Sequence, residues 1–478
     1  MQPALVWFRR DLRLADNPAL AAAVAEGRPL VALYVFDEES KGMRAIGAAG
    51  RWWLERSLKA LGQSLDRKGV KLLLRKGTSA RAVREVMEET GAASLHYMRD
   101  YAPWSEAVEE EVRETAEGRG AECHRHQGFL LHEPERIRTG SGNPYKVFTP
   151  FSRACLKQEP RREPRPAPAK IEAYAGAIRS EKLKDWNLYE GRPDWAADFS
   201  TRWTPGEAGA RAALKRFIAG ALADYAAGRD RPSEKGTSRL SPHLQAGEIS
   251  PLQCWHAVRS AMGSRGGRQD KSAETFLKEL LWREFSYHLI HQFPELPRKP
   301  FRPEFANFAW RRSKTSLRAW QKGMTGYPIV DAGMRELWGT GWMHNRVRMI
   351  AASFLVKHLL QPWQDGEAWF WDTLVDADIA NNTFNWQWVA GSGADASPYF
   401  RIFNPVLQGE KFDPQGAYVR RWVPEIAKLP DRYIHKPWAA PKAVVRDAGL
   451  SADSYPDPIV GLDEGRSRAL HAYKAIKG

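Results

Sequence analysis

Cysteine is nearly absent from this chain. Cys123, Cys155 and Cys254 stand far apart, with no Cys-x-x-Cys pair. They suggest neither a disulfide framework nor a zinc site and read as free thiols. Long apolar runs are missing as well. None approaches the roughly 20 residues of a membrane span, although 43% of the residues are hydrophobic, enough to bury sizeable cores. The start, Met1-Gln-Pro-Ala-Leu-Val-Trp-Phe-Arg-Arg-Asp11, passes from a short apolar run straight into charge. That is not a signal peptide, so a cytoplasmic location is expected. Glycines are lacking where a dinucleotide fold needs them. Trp7-Phe-Arg-Arg-Asp11 follows the first apolar run, and a pyrophosphate could not approach such a turn closely. Acid is in deficit, with 57 Asp and Glu against 72 Lys and Arg, a formal charge of +15. This balance favours a polyanionic partner, or else is a basic surface kept for solubility, and it does not choose between DNA and RNA.

What is present begins with length. At 478 residues two domains are the default. Residues 1–130 alternate short apolar runs with helical patterns. Ala4–Phe8, Leu30–Phe36, Val70–Leu74, Ser94–Tyr97 and, more weakly, Glu122–His126 predict strands; Asn17–Glu26, Ala48–Lys68, Thr78–Thr90 and Ser105–Glu117 predict helices. The alternation implies an α/β domain, a Rossmann-like doubly wound parallel sheet. Residues 131–200 carry prolines from Pro134 to Pro168 and read as an interdomain connector, with Tyr145–Phe151 as one apolar knot that docks onto a domain. From 201 to 478 apolar residues recur at helical spacing in Ala208–Tyr225, Ser250–Met262, Ala273–Phe293, Ser316–Lys322, Ile329–Thr340, His344–Leu359 and Gly366–Val375. The second domain is expected to be all-α.

Four segments carry unusual chemistry. Asp376-Ala-Asp-Ile-Ala-Asn-Asn-Thr-Phe-Asn-Trp-Gln-Trp388, running on through Ser397-Pro-Tyr-Phe-Arg401, sets acids and amides among large aromatics. That mixture suits a flat, hydrogen-bonding ligand in an otherwise apolar pocket, or a polar loop ending in two core Trp. Gly236-Thr-Ser-Arg-Leu-Ser-Pro242 offers hydroxyls and backbone N–H groups that can surround a phosphate, although Ser/Thr turns are common. Glu279, Trp282 and Arg283, at i, i+3 and i+4, place an acid, an indole and a guanidinium on one helix face. Such a face suits a flipped base pair, with Trp stacking, Glu bonding base edges and Arg meeting a phosphate; it equally describes an amphipathic helix with a core Trp. Asn345 and Met349, in Trp342-Met-His-Asn-Arg-Val-Arg-Met349, lie one helical turn apart.

Together these blocks resemble the signature segments of the photolyase/cryptochrome family, class I cyclobutane pyrimidine dimer photolyases above all. The likeness runs from Leu5-Val-Trp-Phe-Arg-Arg-Asp-Leu-Arg13 to Trp438 and is strongest after residue 230. It implies an α/β antenna domain followed by an all-α domain that binds FAD. It further implies light-driven repair of pyrimidine dimers in double- or single-stranded DNA by a monomeric, membrane-free enzyme. By the resemblance, Tyr225, Thr237, Ser238, Arg239, Leu240 and Ser241 contact the diphosphate side of FAD. Asp376 and Asp378 face the isoalloxazine and ribityl side, Arg348 pairs with Asp376, and Asn382 lies beside flavin N5, able to bond the ring oxidised or reduced. Glu279, Asn345, Met349, Trp282 and Trp388 form the dimer pocket; Arg229, Arg283, Arg346, Gln387 and Arg401 touch the DNA backbone or pocket rim. Trp386, Trp363 and Trp310 match an electron relay from flavin to surface.

Two alternatives stay in view. A cryptochrome-like photoreceptor binds FAD without catalysis, but plant-type cryptochromes usually lack the Glu and Trp of the Glu279 block. A basic single-strand binding protein without flavin requires the hydroxyl turn and the acid pair to be coincidence. The antenna is open among folate, deazaflavin, a second flavin or none. Met98-Arg-Asp-Tyr-Ala-Pro-Trp-Ser105 lacks the Asn-Glu pair that marks folate binding in some relatives, and Pro297-Arg298 stands where a folate-associated Cys-Lys would be.

Overall fold

The computed structural model describes residues 1–158, 160, 162–189, 195–262, 268–396, 400–451 and 454–477. Ser397, Pro398 and Tyr399 of the long aromatic segment, and Arg161 of the connector, lie outside them. Packing groups the chain into two interleaved units. One comprises Met1–Pro193, Trp203–Ala223 and Ser238–Glu295; the other comprises Asp194–Arg202, Asp224–Thr237 and Leu296–Gly478.

The first unit is built on five parallel strands, β1 (Ala4–Phe8), β2 (Leu30–Phe36), β3 (Leu72–Lys76), β4 (Ser94–Met98) and β5 (Glu122–His126), in the order β3-β2-β1-β4-β5. β1 and β2 are buried throughout, as a sheet covered on both faces requires. Helices α1 (Pro18–Ala25), α2 (Ala48–Asp66), α3 (Ser79–Thr90) and α4 (Ser105–Glu117) connect them. Asn17 opens α1, its side chain accepting from the Leu20 N–H at 3.1 Å with Pro18 in the first turn. α3 ends at Gly91, whose φ of +62° is the left-handed cap that glycine adopts at least cost.

β3 lies two residues later than the apolar run Val70–Leu74 implies. Val70 N–H is taken by Leu65 O at 3.1 Å in the turn after α2. Pairing then extends to Arg75 and Lys76, because β3 is an edge strand and Arg75 finds Glu89 at 2.9 Å.

The connector is more structured than its prolines suggest. Helix α5 (Phe148–Lys157) forms with Pro150 in its first turn, where N–H groups have no intrahelical partner. Phe148 and Phe151 pack on Phe285, so the apolar knot does dock. Ala173 bridges to Leu30, and Trp186 stacks on Phe36. Helices Glu207–Ala219, Pro251–Ala261 and Arg268–Gln292 also belong to this unit.

The second unit is helical. Lys314–Gln321, Pro328–Thr340, Asn345–Ser353, Trp363–Thr373, Ile379–Ala390, Pro405–Phe412 and Leu462–Ala475 surround a core that includes Trp320, Phe354, Trp363, Trp386 and Tyr418. The single helix expected over His344–Leu359 is instead Asn345–Ser353 followed by a π turn, Phe354–His358. Gly465 lies against His358, whose carbonyl accepts from Arg468 at 2.7 Å, so the wider turn is held by the last helix. No helix among the described residues is long and apolar enough to cross a membrane.

Candidate functional site

In the second unit the aromatic segment becomes a capped helix. Asp378 is the N-cap of Ile379–Ala390; its Oδ1 accepts from the Asn381 backbone and amide, both at 2.8 Å. Just before it, Asp376 meets Arg348. The Arg348 Nη2–Asp376 Oδ2 distance is 2.9 Å, and Arg348 Nε donates to Met343 O at 2.7 Å. The carboxylate is 3% exposed and its partner 23%, so the two residues that the family resemblance pairs form a half-buried charge pair.

Asn382 is buried four residues into this helix. Its Nδ2 donates to the Glu367 carbonyl at 3.0 Å and to Glu367 Oε1 at 2.7 Å. Neither oxygen can donate, so the orientation of the amide is fixed by its neighbours. Both N–H groups are spent on Glu367, which leaves Oδ1 as an acceptor facing elsewhere. Glu367 escaped sequence reading: an acid in Trp363–Thr373 carries no signal of a partner 15 residues on.

Trp386 continues the same helix, 2% exposed, in ring contact with Phe370 (5.0 Å) and Trp320 (6.1 Å). Gly366 packs against the Trp386 ring so closely that a Cβ there would overlap it. Trp363 is equally buried, and Trp310 packs on the same core while partly exposed. Two of the three are therefore buried and the third is partly exposed. Trp320, fully buried with its Nε1 donating to Ala351 O at 3.0 Å, is a fourth indole the motifs did not single out.

Asn345 opens its helix exposed, and Met349, one turn on, is partly exposed. His344 turns inward as N-cap, accepting from Arg346 N at 3.2 Å. Arg346 pairs with Asp230 at 2.9 Å and lies over Phe412. Tyr225 is buried under the Arg229 guanidinium. Gly236, at the head of the hydroxyl turn, is pressed on the Gly228 backbone, where any Cβ would collide. Thr237 follows it, partly exposed. Trp388 Nε1 donates to Asp395 O at 3.1 Å; its ring and exposed Arg401 line one pocket with Ser353, Lys357, Val389, Gly391 and Phe403. Lys357, which sequence reading passed over, is buried there with Nζ 2.8 Å from Ala390 O and over the Phe400 ring. Desolvation holds its amine well below the usual lysine range.

Gln387 requires a correction. It is 1% exposed, and its amide is consumed by the chain: Oε1 accepts from Phe301 N at 2.8 Å, and Nε2 donates to Leu296 O at 2.7 Å and Lys299 O at 3.0 Å. It clamps a loop and has no reach to a DNA backbone.

In the first unit, Glu279 and Trp282 share the partly exposed face of Arg268–Gln292. Phe148 covers one face of the Trp282 indole, centroids 3.5 Å apart and planes 8° from parallel. Arg283 is the second correction. It faces inward, 8% exposed, bonded to Phe129 O at 3.2 Å and seated over Phe129 and Tyr287. A guanidinium so placed packs the unit and meets no phosphate. Ser238 Oγ accepts from Leu240 N at 3.3 Å; Arg239, at φ +53°, lies over Trp203; Leu240 is buried and Ser241 exposed. The Met98–Ser105 stretch is occupied by its own contacts. Arg99 pairs with Glu133 and Glu135, Tyr101 OH donates to Glu133, and Asp100 accepts from Ser105 Oγ.

Comparison with known proteins bears on this arrangement. Residues 276–475 match the FAD binding domain of DNA photolyase, and residues 4–169 match the DNA photolyase family. Deoxyribodipyrimidine photo-lyase of Agrobacterium fabrum is 52% identical, covering 99% of this chain and 98% of its own. Cryptochrome-1 of Arabidopsis thaliana is 39% identical, over 98% of this chain and 69% of its own. The crystal structure of a bacterial class III photolyase from Agrobacterium tumefaciens superposes with a TM-score of 0.96 at 51% identity, covering 100% of this chain and 98% of that one. Shared fold, shared length and identity on this scale leave one conclusion: the chain belongs to the photolyase/cryptochrome family.

Proposed function

We propose that this FAD-dependent DNA photolyase acts on cyclobutane pyrimidine dimers, and that Arg348, Asp376, Asp378 and Asn382 hold the flavin ring. Bound and reduced, FAD supplies on excitation by blue or near-ultraviolet light the electron that splits the dimer. The observation that carries the assignment is the Asn382 amide. With both N–H groups held by Glu367, it offers a neighbouring ring only an acceptor. That matches the N5–H of a reduced flavin and narrows the sequence expectation that either redox state is served. The Arg348–Asp376 pair adds a charge-balanced edge for the polar side of the ring. Tyr225, Thr237, Ser238, Arg239, Leu240 and Ser241 take the diphosphate side by the family resemblance.

Asn345 and Met349 offer the lesion an amide and a thioether on one helix face. Glu279 and Trp282 add an acid for the pyrimidine edge and an indole backed by Phe148. Flipping costs a few kcal/mol, less at a lesion whose stacking is already damaged. Arg229, Arg346, Trp388 and Arg401 meet the backbone or rim, so binding weakens with salt. Trp386, Trp363 and Trp310 relay electrons to the flavin from the surface. Within the family, likeness to the class III structure at 51% identity favours class III over the class I resemblance of the motifs. The enzyme works as a cytoplasmic monomer. The test is repair of a defined thymine-dimer oligonucleotide by the reduced holoprotein in blue light and in darkness. Light-only repair supports the reading. No repair of this lesion by reduced, flavin-loaded protein overturns it and moves the reading to the six-four lesion; failure there as well favours the photoreceptor alternative that the cryptochrome relative represents.

A further inference from the structure

The edge of the first unit's sheet carries a cluster that includes none of the residues assigned above to flavin or DNA. On β5, Glu122, His124 and His126 alternate with Cys123 and Arg125, so a period of two puts all three on one face. The β4–β5 register sets Ser94 beside Glu122 and His96 beside His124. The His96 ring stacks on both neighbours, 4.7 Å from His124 and 5.3 Å from His126. Glu26, the C-cap of α1, reaches the same spot. Its Oε1 lies 2.6 Å from His96 Nε2 and 4.0 Å from His124 Nε2. The three donor atoms all lie within 4.8 Å of one another.

We propose that Glu26, His96 and His124 bind a first-row divalent metal ion of the zinc type, with Glu122 as a fourth donor. Imidazole and carboxylate are the ligands such ions take, and Mg²⁺ or Ca²⁺ would want oxygen alone. Bonds of about 2.0–2.1 Å in a tetrahedron put donors roughly 3.4 Å apart. The existing separations bracket that value, and Glu122 Oε2 already lies 3.2 Å from His124 Nε2. The surroundings orient the ligands. Glu26 Oε2 accepts from Ser94 Oγ at 2.7 Å and pairs with Arg28 Nε at 3.4 Å, which turns Oε1 toward the rings. His96 Nδ1 lies 3.0 Å from His126 Nε2, fixing its ring plane as a hydrogen-bonded outer residue fixes a ligand histidine. Binding at Nε2 displaces the hydrogen bond now made to Glu26 Oε1, and the His96 N–H moves to Nδ1, where it donates to His126 Nε2. Two carboxylates offset the ion's charge against nearby Arg28. His124, 38% exposed, and Glu122, 79% exposed, leave the site open for entry while His96 is buried. The bound ion clamps the end of α1 to the sheet edge.

The test uses the full, untagged holoprotein stripped with a chelator, then given Zn²⁺, or Co²⁺ as a spectroscopic probe. One zinc per chain after gel filtration, tetrahedral Co²⁺ absorption and a zinc-dependent rise in melting temperature are expected, with light-driven repair unchanged. His124→Ala, at a surface position that leaves the core intact, should weaken binding at least as much as loss of an outer partner does, roughly 10- to 100-fold. The exposed His471→Ala should not. Absence of stoichiometric binding by the wild type, or equal affinity in His124→Ala and wild type, would overturn the proposal and leave the cluster a hydrogen-bonded sheet edge.

Discussion

Replacing Asn382 by Asp swaps a donor for an acceptor where only a donor fits. In the wild type Nδ2 sits 3.0 Å from the Glu367 carbonyl and 2.7 Å from Glu367 Oε1. In Asn382→Asp two carboxyl groups and a carbonyl converge in a buried spot. Two carboxylates that close cannot both stay ionised, so the pair takes up a proton and one bond is regained. The bond to the carbonyl is lost, and an unmatched buried acceptor costs about 1–3 kcal/mol. At low pH the variant should therefore be less stable by about 2 kcal/mol, or roughly 2 °C in melting temperature for a chain of 478 residues. The shared proton gives the pair a folded-state pKa above its unfolded value. Its contribution is present at low pH and lost as pH rises through that value, so the deficit must widen from about pH 5 to about pH 8. Melting of the FAD-loaded variant across that range is the assay. Adding Glu367→Gln supplies a new donor and should recover most of the high-pH loss. A flat, near-zero deficit, or a double variant no better than the single one, would refute the Asn382–Glu367 argument and with it the acceptor role assigned to Oδ1.

Trp386→Phe should abolish photoreduction of oxidised flavin while repair by chemically reduced enzyme persists; normal photoreduction would remove this buried indole from the relay. Glu279→Gln should lower the repair quantum yield with flavin still bound, because it removes a charge from the lesion's edge, and an unchanged yield would exclude that role. Glu284 is fully buried, accepting from Leu131 N at 2.8 Å and His132 N at 3.1 Å, and burial pushes its carboxyl up to about 8. A raised folded-state value stabilises below the unfolded pKa and is lost as pH climbs through about 8. The wild type should therefore lose melting temperature over that interval relative to Glu284→Gln, and parallel pH profiles would contradict the assignment.

Periodicity alone found all five strands, β3 with a two-residue offset, and the four helices between them, because alternation at two and at 3.6 residues is a local property of the chain. It also brought Glu279 and Trp282 to one face, while the pairing of Arg348 with Asp376 came from the family resemblance. Its errors share a cause. Gln387 and Arg283 carry the polar groups of nucleic-acid contacts, yet one clamps Leu296 and Lys299 and the other sits over Phe129 and Tyr287. Spacing fixes which side of a helix a residue occupies; whether that side meets solvent depends on segments far away in sequence. Helix α5 forms despite Pro150 because a first-turn proline forfeits no hydrogen bond, and Phe148 gains Trp282 as a partner. The bond from Asn382 to Glu367 and the gathering of Glu26 with His96 and His124 have no local signature at all. Residue types and their periods determined the elements and the chemistry on offer. Only tertiary packing decided which groups are buried together, since the cost of burying a polar group is met by partners that the fold, not the neighbouring sequence, brings within reach.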